Sequence, residues 1–235
     1  MIETMPKLFL IPNAINEGGF DVPDQTARAI AGVRLFFVEE PKSARRLLKA
    51  IHKDFPLHDC RLLDLNEHTK SEQFKEYMVL AKKEDSGIIS ESGCPCVADP
   101  GSGLVLLAHK NNIGVVPLAG PSSIVLALMA SGLNGQNFAF NGYLPKNPKE
   151  RAAKIKALGQ RACKEGQTQI IMETPYRNQN VFDDLLKNLD QKIFLCVACD
   201  MMGNEPFIRT KSIAEWQESN SILPKKPALF IINKG

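Results

Sequence analysis

Residues Gly87–Ser123 read GIISESGCPCVADPGSGLVLLAHKNNIGVVPLAGPSS, and the order of residue types in this stretch decides the architecture. An apolar, β-branched strand at Gly87–Ser90 runs into a Gly/Pro loop, and a helix follows over Pro100–Asn111. A second strand at Gly114–Leu118 then ends in another Gly/Pro loop, which opens a helix at Ser122. Strand, helix and strand, with loops at the strands' carboxyl ends, is the pattern of an open α/β sheet that binds small ligands at those ends. Neither loop has the spacing of a dinucleotide fingerprint or a P-loop, so a nucleotide phosphate is not the expected ligand.

The same alternation extends outward in both directions. Upstream, strands are predicted at Lys7–Ile11, Val33–Glu39 and Arg61–Leu65, with helices over Asp24–Ala31, Lys42–Lys53 and Ser71–Lys83. Asp24 is placed to cap the first helix. The 3-4-3 apolar spacing of Ala44, Leu47, Leu48 and Ile51 marks a one-sided helix. Past Gly120-Pro121 the pattern restarts. Helices are predicted at Ser122–Ser131, Lys149–Lys164, Asn178–Leu189 and near Ile213–Gln217, and strands at Phe138–Tyr143, Thr168–Glu173, Lys192–Ala198, Phe207–Thr210 and Ala228–Asn233. The expected fold class is α/β, with two α/β domains of mostly parallel or mixed sheets: residues 1–118, and residues 119–235.

Composition limits the functional classes. The 235 residues are 44% hydrophobic and 23% charged, ample for a buried core. The net charge of +3, from 29 basic and 26 acidic residues, permits an RNA partner but offers no strongly basic tail. Lys7 leads straight into a strand and the longest apolar runs, such as Ile124–Ala130, are too short to cross a bilayer, so a soluble, cytoplasmic protein is expected. Cys196 and Cys199 lie three apart on a predicted strand and should face opposite ways. Cys94 and Cys96 lack a second pair, and the four histidines are scattered, so no metal site is expected.

Five loops follow strands and compete for the site: Pro12–Gly19, Glu91–Gly101, Ala119–Ser123, Tyr143–Pro148 and Glu173–Arg177. Their residues also have plain structural readings. Asp99 can cap the following helix, and Ser122 or Ser123 can cap the next. Tyr143 can be an amphipathic strand end, Glu173 a solvated loop acid, and Met201 and Met202 core filler.

Taken together, these loops resemble the tetrapyrrole methylase superfamily, the class III S-adenosylmethionine-dependent methyltransferases. The branch that 2′-O-methylates a cytidine of small-subunit ribosomal RNA carries S-D-A-G-T-P-x-I-S-D-P-G, and this chain has Ser90-Glu91-Ser92-Gly93-Cys94-Pro95-Cys96-Val97-Ala98-Asp99-Pro100-Gly101. That branch's P-G-P-S-A, F-x-G-F-L-P and E-S-P-H-R correspond to Ala119–Ser123, Phe140–Pro145 and Glu173–Arg177. Glu39-Glu40-Pro41-Lys42 and Asn66-Glu67-His68 stand where it has E-D-T-R and H-E-H. The chain departs from it at Pro12–Gly19, which keeps only the proline of T-P-I-G-N-L-x-D, and at Cys199–Gly203, which replaces R-E-L-T-K.

The resemblance implies S-adenosylmethionine as cofactor, bound in a cleft between the two domains. It implies contacts from Pro12, Ser92, Gly93, Cys94, Pro95, Pro121, Ser122, Ser123, Tyr143, Leu144 and Met201. Methyl transfer from a sulfonium needs alignment and exclusion of water, not a metal or a covalent nucleophile. A ribose hydroxyl does need a proton acceptor, for which Glu91, Glu173 and Asp200 are candidates. RNA, expected to be ribosomal, could meet the basic segment Lys146, Lys149, Arg151, Lys154, Lys156, Arg161 and Lys164, although a basic helix face is often merely solvated. A homodimer is implied by the same resemblance. Two alternatives stand beside this reading: methylation of a tetrapyrrole or other small molecule, and cofactor binding without RNA methylation.

Overall fold

The computed structural model describes residues 5–16 and 22–234. The Glu17–Gly19 part of the Pro12–Gly19 loop lies outside the described residues. The chain divides into two compact units, Met1–Ser122 and Ser123–Gly235.

The first unit is a five-stranded, all-parallel sheet made of β1 (Lys7–Ile11), β2 (Leu35–Val38), β3 (Arg61–Asp64), β4 (Ser86–Ile89) and β5 (Gly114–Pro117), in the order β3-β2-β4-β1-β5. Both β2 and β4 are buried along their whole length, as parallel strands covered on two faces must be. Helices α1 (Asp24–Ile30) and α2 (Pro41–Ile51) cover one face, where Ile30, Leu47 and Leu48 meet Ile11, Phe36 and Ile89. Helices α3 (Ser71–Ala81) and α4 (Ser102–Lys110) cover the other, where Met78, Leu104 and Ala108 meet Leu8, Phe37 and Ile88. Gly87 sits mid-strand because a Cβ there would lie 2.6 Å from Ile11 Cδ1.

This order creates two switch points. The connection leaving β4 goes to one face, whereas those leaving its neighbours β1 and β2 go to the other. Crevices therefore open on both sides of the carboxyl end of β4, the places where such sheets take ligands.

The second unit is a mixed sheet of β6 (Phe138–Tyr143), β7 (Thr168–Glu173), β8 (Phe194–Cys199), β9 (Phe207–Ser212) and β10 (Ala228–Asn233), in the order β6-β7-β10-β8-β9. Only β6 and β7 pair in parallel; β10 runs antiparallel between β7 and β8, and β9 is antiparallel to β8. Helix α5 (Ser123–Ser131) packs on one face through Ile124, Ala127 and Leu128. Helices α6 (Pro148–Glu165), α7 (Asn178–Asn188) and α8 (Ile213–Glu218) pack on the other, around Phe182, Trp216 and Phe230. Cys199 belongs to that core and Cys196 to the α5 side, so the two sulfurs do diverge.

The two-sheet α/β architecture agrees with the sequence reading, and three local expectations need correction. Asp24 does not cap α1: the cap position is Pro23 and no side chain closes it. Asp99 does not cap α4, and Pro100 does not begin it. Gly101, at φ 123°, is the cap residue, and this backbone conformation delays the helix to Ser102. A 3-10 turn at Leu57–Asp59 was not anticipated.

Candidate functional site

In the first unit, the carboxyl ends of β1, β4 and β5 are laced together. Asn13, only 2% exposed, exchanges backbone hydrogen bonds with Gly93, donating to its carbonyl at 2.8 Å and accepting from its N–H at 3.1 Å. Its amide Nδ2 donates to the carbonyls of Ser90 and Glu91 at 3.1 and 3.0 Å. Ser90 Oγ donates to the Gly93 carbonyl at 3.0 Å. On the other side, the Cys94 thiol donates to the Pro121 carbonyl at 3.4 Å, and Gly120 packs directly on Pro12. Pro12, Gly93, Cys94 and Pro121, drawn from three predicted loops, thus meet at one of the two switch points. Pro95 is buried, and Ser92 reaches the Ile15 carbonyl at 3.4 Å. Asn13 was missed in the sequence because nothing in its neighbours announces a buried amide bridging two strand ends.

The β4 loop holds Gly93, Cys96, Ala98 and Gly101 at positive φ (69°, 68°, 66° and 123°). Two of these are not glycine, and such strained positions cluster at functional sites. The winding carries the loop across to the second switch point and sets Asp99 beside Glu39, at the end of β2, and Glu91. Glu39 Oε2 accepts the Glu91 N–H at 2.8 Å. Burial first, then the charges of Glu39 and Glu91, push the Asp99 carboxyl up to about 7. A cavity of about 530 Å³ opens here, lined by Glu39, Asn66, Glu67, His68, Ala98, Asp99 and Pro100. Burial likewise raises the Cys94 thiol, and it takes Cys96 to about 11, so neither is a thiolate nucleophile at neutral pH.

The charge of these loops is one-sided. Residues 12–16, 90–101 and 118–122 contain no Lys, Arg or His. They offer backbone carbonyls and amides with carboxylates nearby, which suits a cationic ligand and repels phosphate. A sulfonium cofactor such as S-adenosylmethionine fits that donor set. Among the described residues no three His, Cys, Asp or Glu side chains are placed to hold a metal ion.

The second unit places its expected residues differently from one another. Tyr143 is 54% exposed at the end of β6, whereas Leu144 is 2% exposed and belongs to the core, leaving its backbone as its polar offering. Ser123 is the first residue of α5, and Ser122 ends the first unit. Met201 is core, packed with Ile170 and Leu229, while Met202 is exposed. Glu173 is no solvated loop acid. Its side chain is fully buried; Oε1 accepts the Thr174 N–H at 2.8 Å, and Oε2 lies 3.2 Å from Arg177 Nη2. Arg177 also donates to the Leu144 carbonyl at 3.0 Å, and Arg151 donates to the Lys146 carbonyl at 2.9 Å while pairing with Asp184 at 2.6 Å. Two arginines therefore clamp the loop that follows β6. Asp200, at φ 51°, lies 3.9 Å from Lys226 Nζ and crowds Gly203, where a Cβ would meet its carboxylate at 2.3 Å.

Residues 24–211 match the family described as Tetrapyrrole (Corrin/Porphyrin) Methylases. The chain belongs to the tetrapyrrole methylase family. Among curated members, it is 30% identical over 217 residues to a protein of Vibrio cholerae named ribosomal RNA small subunit methyltransferase I, covering 89% of this chain and 70% of that one. It is 30% identical over 208 residues to the Thermotoga maritima protein of the same name, covering 86% and 87%. Its fold resembles the crystal structure of uroporphyrin-III-C-methyltransferase from Thermus thermophilus, with a TM-score of 0.53, 16% identity, and coverage of 97% and 92%. Like the rest of its family, the chain is a methyltransferase.

Proposed function

We propose that this methylase transfers a methyl group from S-adenosylmethionine to a ribose 2′-hydroxyl of small-subunit ribosomal RNA. The observation that carries the cofactor half is the meeting of Pro12, Asn13, Gly93, Cys94, Gly120 and Pro121 at a switch point of the sheet. It is assembled almost wholly from backbone, and its loops carry no cationic side chain. When bound, the sulfonium supplies an activated methyl group. The chain's own task is then to bind, align and exclude water. Pro12, Ser92, Gly93, Cys94, Pro95, Pro121 and Ser122 are the first unit's proposed contacts.

The RNA half rests on the relatives named as ribosomal RNA methyltransferases and on the exposed basic residues of α6. Arg151 leaves that set, because its side chain is 11% exposed and committed to Asp184. With that substrate we propose a cytoplasmic location, and we propose a homodimer, which light scattering at micromolar concentration checks. The function is tested with tritiated S-adenosylmethionine and small ribosomal subunits lacking the modification. Label in the RNA that blocks alkaline cleavage at one ribose confirms it. Cofactor binding by calorimetry with no label in RNA overturns the acceptor, and no cofactor binding overturns the reading.

A further inference from the structure

The two switch points beside β4 hold two different sites on one loop. Gly93 and Cys94 face the β1 side, and Ala98 and Asp99 line the cavity on the β2 side. We propose that this cavity receives the nucleoside that accepts the methyl group, and that Asp99 takes the proton from its hydroxyl. The inference rests on the RNA-methylation reading and adds to it the acceptor's place and the catalytic base.

The cavity's volume, about 530 Å³, lies within the range of sites that enclose a small ligand. Its lining is specific about what enters. Asn66 and His68 can donate and accept along a base or sugar edge, whereas Glu39, Glu67 and Asp99 repel phosphate. A nucleoside moiety fits, with its phosphates left outside. The carboxylates do not converge on a point that could hold a metal ion.

Asp99 also differs from the other acids considered as bases. Glu173 is held by Arg177 and Thr174, Asp200 lies near Lys226, and Glu91 shows no contact with the cavity. No hydrogen bond or ion pair engages the Asp99 carboxylate among the described residues. The groups around it are Glu39 from the end of β2, Glu91, Cys94 and Cys96 from its own loop, and Glu67 and His68 from the segment after β3. Burial first, then the charges of Glu39 and Glu91, holds the carboxyl near 7, where a base at neutral pH is most effective. In the step itself the acceptor oxygen bonds to the methyl carbon as the carbon–sulfur bond breaks. That bond's electron pair stays on sulfur, and the hydroxyl proton passes to Asp99.

The test is single-turnover methyl transfer to small ribosomal subunits between pH 5.5 and 9, for wild type, Asp99→Asn and Glu39→Gln. The wild-type rate should rise with pH and level above about 7. D99N should lower it about 10²–10⁴-fold, the usual contribution of a general base, while cofactor affinity by calorimetry changes less than about twofold. E39Q removes a like charge and should move the midpoint of the profile to lower pH. A D99N rate and pH profile equal to wild type overturns the inference, and so does an E39Q midpoint that stays in place. If D99N fails to bind cofactor through misfolding, the E39Q midpoint decides. Absence of any transfer by wild type defeats the RNA-methylation reading and the inference with it, a result distinct from transfer that persists in D99N.

Discussion

Gly120 lies so close to Pro12 that a Cβ added to it would fall 2.3 Å from the proline Cβ and 2.7 Å from its Cγ. The loops after β1 and β5 thus meet backbone against ring at the proposed cofactor site. Gly120→Ala forces the two loops apart. Overpacking of this kind costs about 1–3 kcal/mol, and the displaced Pro121 carbonyl no longer meets Cys94. Cofactor affinity should fall at least about tenfold, equivalent to 1.4 kcal/mol. Calorimetry and thermal unfolding read both effects; unchanged affinity would remove these loops from the site.

Arg177→Ala leaves the fully buried Glu173 carboxylate without its cation and frees the Leu144 carbonyl. An uncompensated buried charge costs about 3–5 kcal/mol. The double variant Arg177→Ala with Glu173→Gln should recover much of that loss in urea unfolding. If Glu173 were instead a solvent-facing acid, the single variant would lose little.

Asp99 should make stability pH-dependent with a definite sign. Its folded pKa, about 7, lies above the value near 3.9 of an unfolded chain. Ionising it therefore opposes folding: the cost is absent below about pH 4, grows as pH rises, and is complete above about 7. D99N should be more stable than wild type at pH 8 by about 1–2 kcal/mol, after discounting for solvent screening of a partly exposed group. The advantage should vanish near pH 4. Chemical denaturation across this range measures it, and a flat difference would contradict the assigned environment.

Charge reversal of Lys154 and Lys156, both exposed on α6, should weaken RNA binding and flatten its salt dependence. Cofactor affinity should stay unchanged. Filter binding at several salt concentrations would show it; equal slopes for wild type and variant would return this face to solvent.

Much of the frame was readable from local signals. Strands β1, β6, β7 and β10 span the residues that the sequence predicts for them, and Cys196 and Cys199 diverge as a two-residue period requires. Helix starts were less legible. At Asp99-Pro100-Gly101 the residue types suggest an acid cap and a leading proline, yet the positive φ of Gly101 moves the start to Ser102. A capping residue and a cavity-facing acid look alike in sequence, because the backbone path that separates them is set by contacts far along the chain.

The sequence by itself determined the α/β class, the methylase family and the loops that gather at strand ends, since hydrophobic period and turn chemistry act over a few residues. Only the tertiary structure decided what those loops do together. The order β3-β2-β4-β1-β5 seats β4 between two neighbours whose connections leave toward the opposite face from its own. One winding loop thereby reaches Asn13 on one side and Glu39 on the other. Burial and like charge then raise Asp99, which no spacing could announce, and an ion pair with Arg177 engages the buried Glu173. These are through-space effects, in which sheet order brings Glu39 within reach of Glu91 and Asp99, a relation that no local pattern of residues records.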